Sequence, residues 1–112
     1  MILEEQLLGR LLKDRKLFFN TGDMINDSFF NHYLDKEIFN TYKKQLLNGE
    51  GVDMMNISNK SSAPEQSLLR IGYLISSVDY SLSIQSLLDR TYTKIKINKI
   101  NQFKTDILNL NI

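Results

Sequence analysis

The sequence lacks several residues on which common protein chemistries depend. It contains no cysteine and no tryptophan, and it has one proline and one histidine. Without cysteine, the chain can form no disulfide, thiolate metal site or cysteine nucleophile. A metal site at His32 would need a second strong ligand at fixed spacing, and no Ser-His-Asp set stands in a meaningful arrangement. We therefore expect no catalytic residue, cofactor or metal in this chain.

Charge of one sign and long hydrophobic runs are also scarce. The formal net charge is +1, which makes no general demand for nucleic acid or an acidic membrane as partner. No apolar run approaches the roughly 20 residues of a membrane span. Glu4, Glu5 and Arg10 interrupt the first apolar segment, which argues against a signal peptide. We expect a cytoplasmic protein with no membrane contact.

The sequence does contain helical patterns, in a chain long enough for one domain. Of the 112 residues, 42% are hydrophobic, enough for a buried core. Apolar residues recur three and four apart, which predicts helices over about 2–13, 35–48, 64–77 and 84–108. Shorter helices are expected around 17–21, stopping near Thr21-Gly22, and around 54–57. We predict an all-α fold, a compact bundle of five to six helices ending in a longer C-terminal helix.

The helix ends and stripes support more detailed predictions. The whole chain, 1–112, is expected to be one domain with a globular head over about 1–80. The helix over about 84–110 is a candidate for the start of a helical hairpin. Ser62 and Glu65 are spaced as a capping box, and Gly9 lies mid-helix, which suggests a packing reason. The last helix is predicted from one long apolar stripe, formed by Ile84, Leu88, Thr91, Ile95, Phe103, Ile107 and Leu110.

The segment Gly49-Glu50-Gly51 resembles the start of a phosphate-binding loop. Such a loop needs a preceding strand and a following Lys-Ser or Lys-Thr, or a third glycine. Here an amphipathic helix precedes the segment, and Asp53 follows where a phosphate would sit. We therefore interpret Gly49 as the left-handed residue that ends one helix, and Asp53 as the N-cap of the next.

Two further groups of residues, a methionine pair and a set of aromatic residues, have both a structural and a functional interpretation. Met54 and Met55 are expected in the core, although methionines also form adaptable binding surfaces. Aromatic residues could stack nucleic-acid bases, but their helical spacing favours core positions; they are Phe29, Phe30, Tyr33, Phe39 and Tyr42.

The last helix also carries an excess of basic side chains. Arg90, Lys94, Lys96, Lys99 and Lys104 face only Asp89 and Asp106 across that span. A solvated helix face explains this pattern, and so does a surface for a polar partner or nucleic acid. We take these five residues as the candidate partner-binding set.

Part of the sequence resembles the N-terminal domain of the DnaB family of bacterial replicative DNA helicases. The family shows a phenylalanine, an Ile-Phe pair eight residues on, a glycine, and Val-Asp at a helix start. The matching residues are Phe30, Ile38, Phe39, Gly49, Val52 and Asp53. The family's opening Glu-x-x-Leu-Leu-Gly-x-Leu-Leu helix is matched by EEQLLGRLL, which includes Leu8 and Gly9.

The resemblance implies a collar domain that is not catalytic. In the family such domains assemble with one another into a ring, and primase and the helicase loader engage the assembly. ATP and magnesium bind in a separate C-terminal domain with a GxxxxGK[ST] loop, a motif that this chain does not contain. DNA is contacted through the parent hexamer.

Three accounts remain open. The chain is a domain of an ATP-dependent helicase, or a complete small adaptor of phage or mobile-element type that binds a helicase, primase or loader. Its beginning at Met1 with no leader segment slightly favours the adaptor. The third account is a small basic-helix module that binds nucleic acid.

Overall fold

The computed structural model describes residues 2–21 and 24–110, and the regular secondary structure among these residues is helical, with no β-strand. The helices are α1 (Leu3–Lys13), α2 (Arg15–Thr21), α3 (Tyr33–Leu47), α4 (Met54–Ser58), α5 (Pro64–Ser76) and α6 (Ile84–Leu110), with a 3₁₀ helix at Asp27–Phe29 between α2 and α3. The predicted all-α fold is confirmed. The expected stop of α2 agrees at Thr21, and Gly22 lies outside the described residues.

α3 forms because its apolar residues recur at helical spacing and its two ends carry stop and start signals. The side chain of His32 accepts a hydrogen bond from the backbone N–H of Leu34 at 3.2 Å and so caps the first turn. At the other end Gly49 has a φ of +68°, a conformation that residues with a Cβ adopt only under strain. Between these ends, Ile38, Phe39 and Tyr42 are buried in the core.

The start of α5 differs from the predicted capping box. The N-cap residue is Ala63, and no side chain caps the helix. Instead, the Ser62 and Ser61 hydroxyls donate to the Glu37 carboxylate at 2.6 and 2.9 Å, and these hydrogen bonds lower the pKa of Glu37. The Ser62–Glu65 prediction was wrong because a carboxylate on α3 offered Ser62 a better partner than its own backbone.

The core lies where α1, α3 and α5 meet, and it contains a group of aromatic side chains. Phe18, Phe39 and Tyr42 pack against one another, with the Phe18 and Tyr42 rings edge to face at 5.4 Å between centroids. The Tyr42 hydroxyl donates to the carbonyl of Leu11 at 2.8 Å. Burial raises the pKa of Tyr42 to about 12.

Of the aromatic and methionine residues that were predicted to lie in the core, all but Tyr33 and Met55 do so. Phe29 and Phe30 are buried with the rest of the aromatic set, but Tyr33 is exposed and stacks on the ring of His32. Tyr33 begins α3, ahead of the first residue that faces the core. Met54 packs against the core, whereas Met55, the next residue along α4, faces solvent.

Gly9 has the packing role that its mid-helix position suggested. A Cβ at this position would overlap the backbone carbonyl of Leu74 and approach the Val78 Cγ2 atom to 2.9 Å. α1 and α5 therefore cross at Gly9 with their backbones in close approach, which a side chain would prevent.

α6 makes the molecule longer than a compact domain. The Cα radius of gyration is 15.6 Å and the principal extents are 52 × 32 × 26 Å, whereas about 13 Å is expected for a compact chain of this length. Twenty-seven residues of α-helix extend about 40 Å. The helix packs against α1 and the 3₁₀ helix, and residues 96–110 are all exposed.

Candidate docking surface

α6 has two halves with different environments. The proximal half, residues 84–95, packs on the head through Leu87, Leu88 and Thr91, which are buried, and through Ile84 and Ile95, which lie against the core. The distal half, residues 96–110, presents every side chain to solvent. The helix is therefore anchored at one end and free at the other.

Polar contacts fix the proximal half to α1. Lys94 forms an ion pair with Glu4 at 3.1 Å. The segment that leads into α6 is held by Arg10, which donates to the carbonyl of Leu82 at 2.6 Å, and by Gln6, which accepts from the backbone N–H of Asp79 at 2.8 Å. Because these contacts lie near both ends of α1, the direction in which α6 leaves the head is determined by the head.

The distal half carries six large apolar side chains that the head does not cover, and four of them lie along one side of the helix. These four are spaced three, four and three residues apart, which is the a/d pattern of a helix that packs lengthwise on another helix. Their exposed fractions lie between 41% and 84%. We call this set the distal seam; it consists of Ile100, Phe103, Ile107 and Leu110.

The distal seam does not continue the proximal stripe, although the sequence suggested one register. At about 100° per residue, Phe103, Ile107 and Leu110 point roughly 100° away from the direction shared by Ile84, Leu88, Thr91 and Ile95. The long helix predicted from these residues is confirmed, but the residues do not form one straight stripe along it. The proximal residues turn towards the head, and the distal ones turn to another side of the helix, beyond the reach of the head.

The five basic residues proposed for partner binding do not lie on one face. At about 100° per residue they spread over roughly 220° of the circumference of α6. Lys94 forms its ion pair with Glu4. The Lys96 amino group lies 5.2 Å from the centre of the Tyr92 ring. Arg90 is exposed. Lys99 and Lys104 occupy the positions on either side of the distal seam.

A groove opens beside the proximal half, on the side of α6 from which the distal seam projects. It has a volume of about 360 Å³ and is lined by Met24 and Phe29 from the head and by Gln85, Leu88, Asp89 and Tyr92 from α6. Met24 and Tyr92 are both more than half exposed. We call it the Met24 groove.

The Gly-Glu-Gly segment is a helix-to-helix connection. The backbone N–H of Glu50 donates to the carbonyl of Gln45 at 2.9 Å, which completes the end of α3 after the left-handed Gly49. The Asp53 carboxylate accepts from the backbone N–H of Asn56 at 2.8 Å and begins α4. The segment thus joins two helices, and it does not follow a strand as a phosphate-binding loop does.

The residues that carried the family resemblance have structural positions. Leu8, Phe30, Ile38 and Phe39 are buried, and Val52 packs against the same core. Gly9, Gly49 and Asp53 have the backbone and capping positions described above. These residues shape the head, and the exposed docking surface is built from others.

Sequence reasoning missed a buried ion cluster that joins three helices. The Arg70 guanidinium on α5 donates to both carboxylate oxygens of Asp35 on α3, each at 2.8 Å, and also to Glu5 on α1. Asp35 is fully buried, and the hydrogen bonds that Arg70 donates to Asp35 raise the pKa of Arg70. A signal was present, because Asp35 lies three, four and seven residues before Ile38, Phe39 and Tyr42, on the buried side of α3.

Residues 2–21 and 24–110 give no support for a metal site or a membrane-spanning helix. No three His, Cys, Asp or Glu side chains among these residues group so that they could hold a metal ion. No described helix is long and apolar enough to cross a membrane. The most distinctive surface is therefore the exposed apolar side of α6, which is typical of a helical assembly domain.

The comparison with protein families agrees with this class. The family of DnaB-like helicase N-terminal domains matches residues 2–96, and the chain belongs to this family. In general terms it is a helicase N-terminal assembly domain. The matched residues include the head and the proximal half of α6, and they end where the distal half begins. No curated protein and no solved structure matches the chain.

Proposed function

We propose that this chain is the assembly and docking domain of a replicative DNA helicase. It would contribute to a ring of such domains and bind primase or the helicase loader. Support comes from its family and, above all, from the distal seam. Four large apolar side chains exposed on a helix that projects from the head are unfavourable in water, and such patches commonly mark protein interaction sites.

The proposal assigns no nucleotide chemistry to this chain. ATP and magnesium would bind in a motor domain with its own phosphate-binding loop, and DNA would be contacted through the assembled parent. Support comes from the Gly-Glu-Gly segment, in which Gly49 ends α3 and which leads to the N-cap of α4 at Asp53. Calorimetry tests this directly: we expect no saturable heat from ATP with magnesium, and micromolar binding would contradict it.

The docking function is tested with the helicase, primase and loader of the source organism. The purified chain is immobilised, and each protein is passed over it while binding is recorded by interferometry. We expect at least one of the three to bind, and we expect Phe103→Ser with Ile107→Ser to abolish that binding. The matched control is Leu47→Ser with Met55→Ser, which replaces two apolar side chains on the head that are at least as exposed as Phe103 and Ile107.

The outcomes separate the alternatives. Loss of binding in the seam variant alone supports the proposal. Equal loss in both variants, or no binding by any of the three proteins, contradicts it. Tight binding of single-stranded DNA with a steep salt dependence, lost in Lys96→Glu with Lys99→Glu, would favour the nucleic-acid alternative. The reading frame of the source gene separates a helicase domain from a separate adaptor, because a helicase frame contains GxxxxGK[ST].

A further inference from the structure

We infer that a polar cleft on the head binds a carboxamide group, the side chain of an asparagine or glutamine on a partner protein. The cleft has a volume of about 340 Å³ and lies between the α3–α4 connection and the end of α4. We call it the Gln45 cleft; it is lined by Gln45, Glu50, Gly51, Asn56, Asn59 and Lys60. The inference rests on the proposed docking function for its partner, and it adds a contact that is separate from α6.

The inner side of the cleft contains a buried hydrogen-bond acceptor that has no donor. Gln45 is only 2% exposed, and its Nε2 atom donates to the backbone carbonyl of Asn56 at 3.2 Å. The Oε1 atom of the same amide accepts no hydrogen bond from any residue in 2–21 or 24–110. Exchanging the amide nitrogen and oxygen gives no relief, because the oxygen would then face the carbonyl of Asn56. A buried acceptor in this state favours a ligand that brings a donor.

The wall beside Gln45 is held in place before any ligand arrives. The backbone N–H of Asn56 donates to the Asp53 carboxylate at 2.8 Å, and its Nδ2 atom donates to the carbonyl of Gly51 at 3.1 Å. A Cβ on Gly51 would lie 3.2 Å from that Nδ2 atom, so a glycine leaves room for this hydrogen bond. The wall is therefore preorganised, which lowers the entropy cost of binding.

The charges at the mouth of the cleft are balanced. Glu50 and Lys60 are both exposed, and neither forms an ion pair with another residue that the structure describes. The lining residues therefore have a formal net charge of zero. Lys60 opposes a cationic ligand and Glu50 opposes an anionic one, so the cleft favours a neutral polar group.

A carboxamide fits this set of hydrogen-bonding groups. It has two N–H donors and one acceptor oxygen, whereas a guanidinium has donors only and a carboxylate has acceptors only. Its NH₂ group matches the unpaired Oε1 of Gln45. Its oxygen matches the NH₂ group of Asn59, an exposed side chain at the mouth of the cleft.

The strength of such a contact favours a side chain of a partner protein over a free small molecule. Two or three neutral hydrogen bonds give a net affinity only in the millimolar range. That is too weak for a separate ligand site, but it is sufficient for one specific contact within a larger interface. The Gln45 cleft therefore adds selectivity to an interface whose apolar contacts lie elsewhere.

Three capped amino acids test the inference by NMR spectroscopy. The N-acetyl methylamides of glutamine, glutamate and leucine are each titrated into the ¹⁵N-labelled chain. We expect the glutamine probe to shift the backbone signal of Gly51 and the side-chain amide signals of Gln45 and Asn56, with saturation in the millimolar range. The glutamate and leucine probes should bind roughly three- to tenfold more weakly at this site, because neither supplies a side-chain N–H donor.

Variants of the chain identify the residues responsible. Gln45→Met keeps the length of the buried side chain but has no amide, and it should abolish the response to the glutamine probe. Asn59→Ala changes an exposed position, so it does not threaten the fold, and it should weaken probe binding roughly threefold. Asn101→Ala, the same exposed change on α6, is the matched control and should have no effect.

The outcomes distinguish this inference from the proposed function. The inference is wrong if no probe shifts these three residues, which would mean that the cleft holds water only, or if all three probes bind equally. Asn59→Ala should also weaken binding of the helicase, primase or loader roughly threefold, and unchanged binding would contradict a carboxamide supplied by that partner. A saturable response to the glutamine probe, with no binding by any of the three proteins, would support the cleft and contradict the proposed function.

Discussion

The proximal and distal halves of α6 belong to one continuous helix, and both carry apolar side chains at helical spacing. In the proximal half Leu87 and Leu88 are buried against the head, whereas in the distal half Phe103 and Leu110 are mostly exposed. Neither side-chain chemistry nor local periodicity separates the two sets. A stripe of apolar residues on a helix therefore becomes part of the core only where the fold brings a second surface against it.

The largest expected change in stability comes from removing an aromatic side chain that is buried in the core of the head. Phe39 is almost fully buried against Phe30 and Phe18. Phe39→Ala should lower the free energy of unfolding by about 3–5 kcal/mol, because it removes buried area and leaves a cavity. Denaturant melts measure this change. A loss below about 1 kcal/mol would mean that Phe39 does not belong to the core.

The next effect concerns the ion cluster beneath the same core. Arg70→Gln leaves the Asp35 carboxylate buried without its cation, and we expect a loss of about 3 kcal/mol. The double variant Asp35→Asn with Arg70→Gln removes both charges and should recover part of the loss. Urea melts of the two variants test this. A double variant no more stable than Arg70→Gln would contradict an unpaired buried charge as the cause of the loss.

Tyr42 makes the stability of the buried core sensitive to alkaline pH. Its folded-state pKa of about 12 lies above the usual value of about 10, so the neutral phenol is favoured in the fold. The stabilisation is complete below about pH 10 and is lost as pH rises to about 12, a change of roughly 2–3 kcal/mol. Tyr42→Phe should cost about 1 kcal/mol at neutral pH and should lack this alkaline loss. Parallel alkaline slopes in melts of the two proteins would contradict the assignment.

Two mid-helix glycines provide a matched pair for the α1–α5 crossing. Gly9→Ala should destabilise the chain by about 1–2 kcal/mol, because the overlap with Leu74 outweighs the gain in helix propensity. Gly72→Ala on α5 is the control, since a Cβ there meets only the Met54 Cε atom at 3.7 Å. We expect Gly72→Ala to be neutral or stabilising in thermal melts. A Gly9→Ala protein as stable as Gly72→Ala would refute the close crossing.

The smallest expected change in stability comes from the exposed distal half of α6. Phe103→Ser should change the free energy of unfolding by no more than about 0.5 kcal/mol, because exposed positions contribute little to folding. Its melt, compared with that of Phe39→Ala, is the most direct check on the contrast between the two environments. A large loss for Phe103→Ser would mean that the distal half is covered in the isolated chain.

Local signals made most of the fold predictable. The helices could be located from apolar spacing, and Gly49 and Asp53 could be recognised at helix ends, because a left-handed φ and an N-cap depend on residues close in sequence. The Ser62–Glu65 capping box failed because Glu37, far away in sequence, competes for the Ser62 hydroxyl. The Arg70–Asp35 cluster was missed because its partners are 35 residues apart.

The candidate site was less predictable than the fold. The basic residues of α6 were visible in the sequence, but only the packing of α1 against α6 shows that Lys94 is paired with Glu4. The distal seam was read as a continuation of the proximal stripe, since a slow rotation of an apolar stripe is hard to see in a short helix. The Met24 groove had no signal in the sequence, because its walls come from two distant segments.

The sequence by itself determined which segments are helical, where most of them begin and end, and the family to which the chain belongs. These properties depend on backbone preferences and on side chains within one or two turns of each other. The tertiary structure alone decided which apolar residues are covered, which charges are paired, and in which direction α6 leaves the head. Burial and ion pairing depend on neighbours that the fold brings from elsewhere in the chain, and the head ends before α6 does.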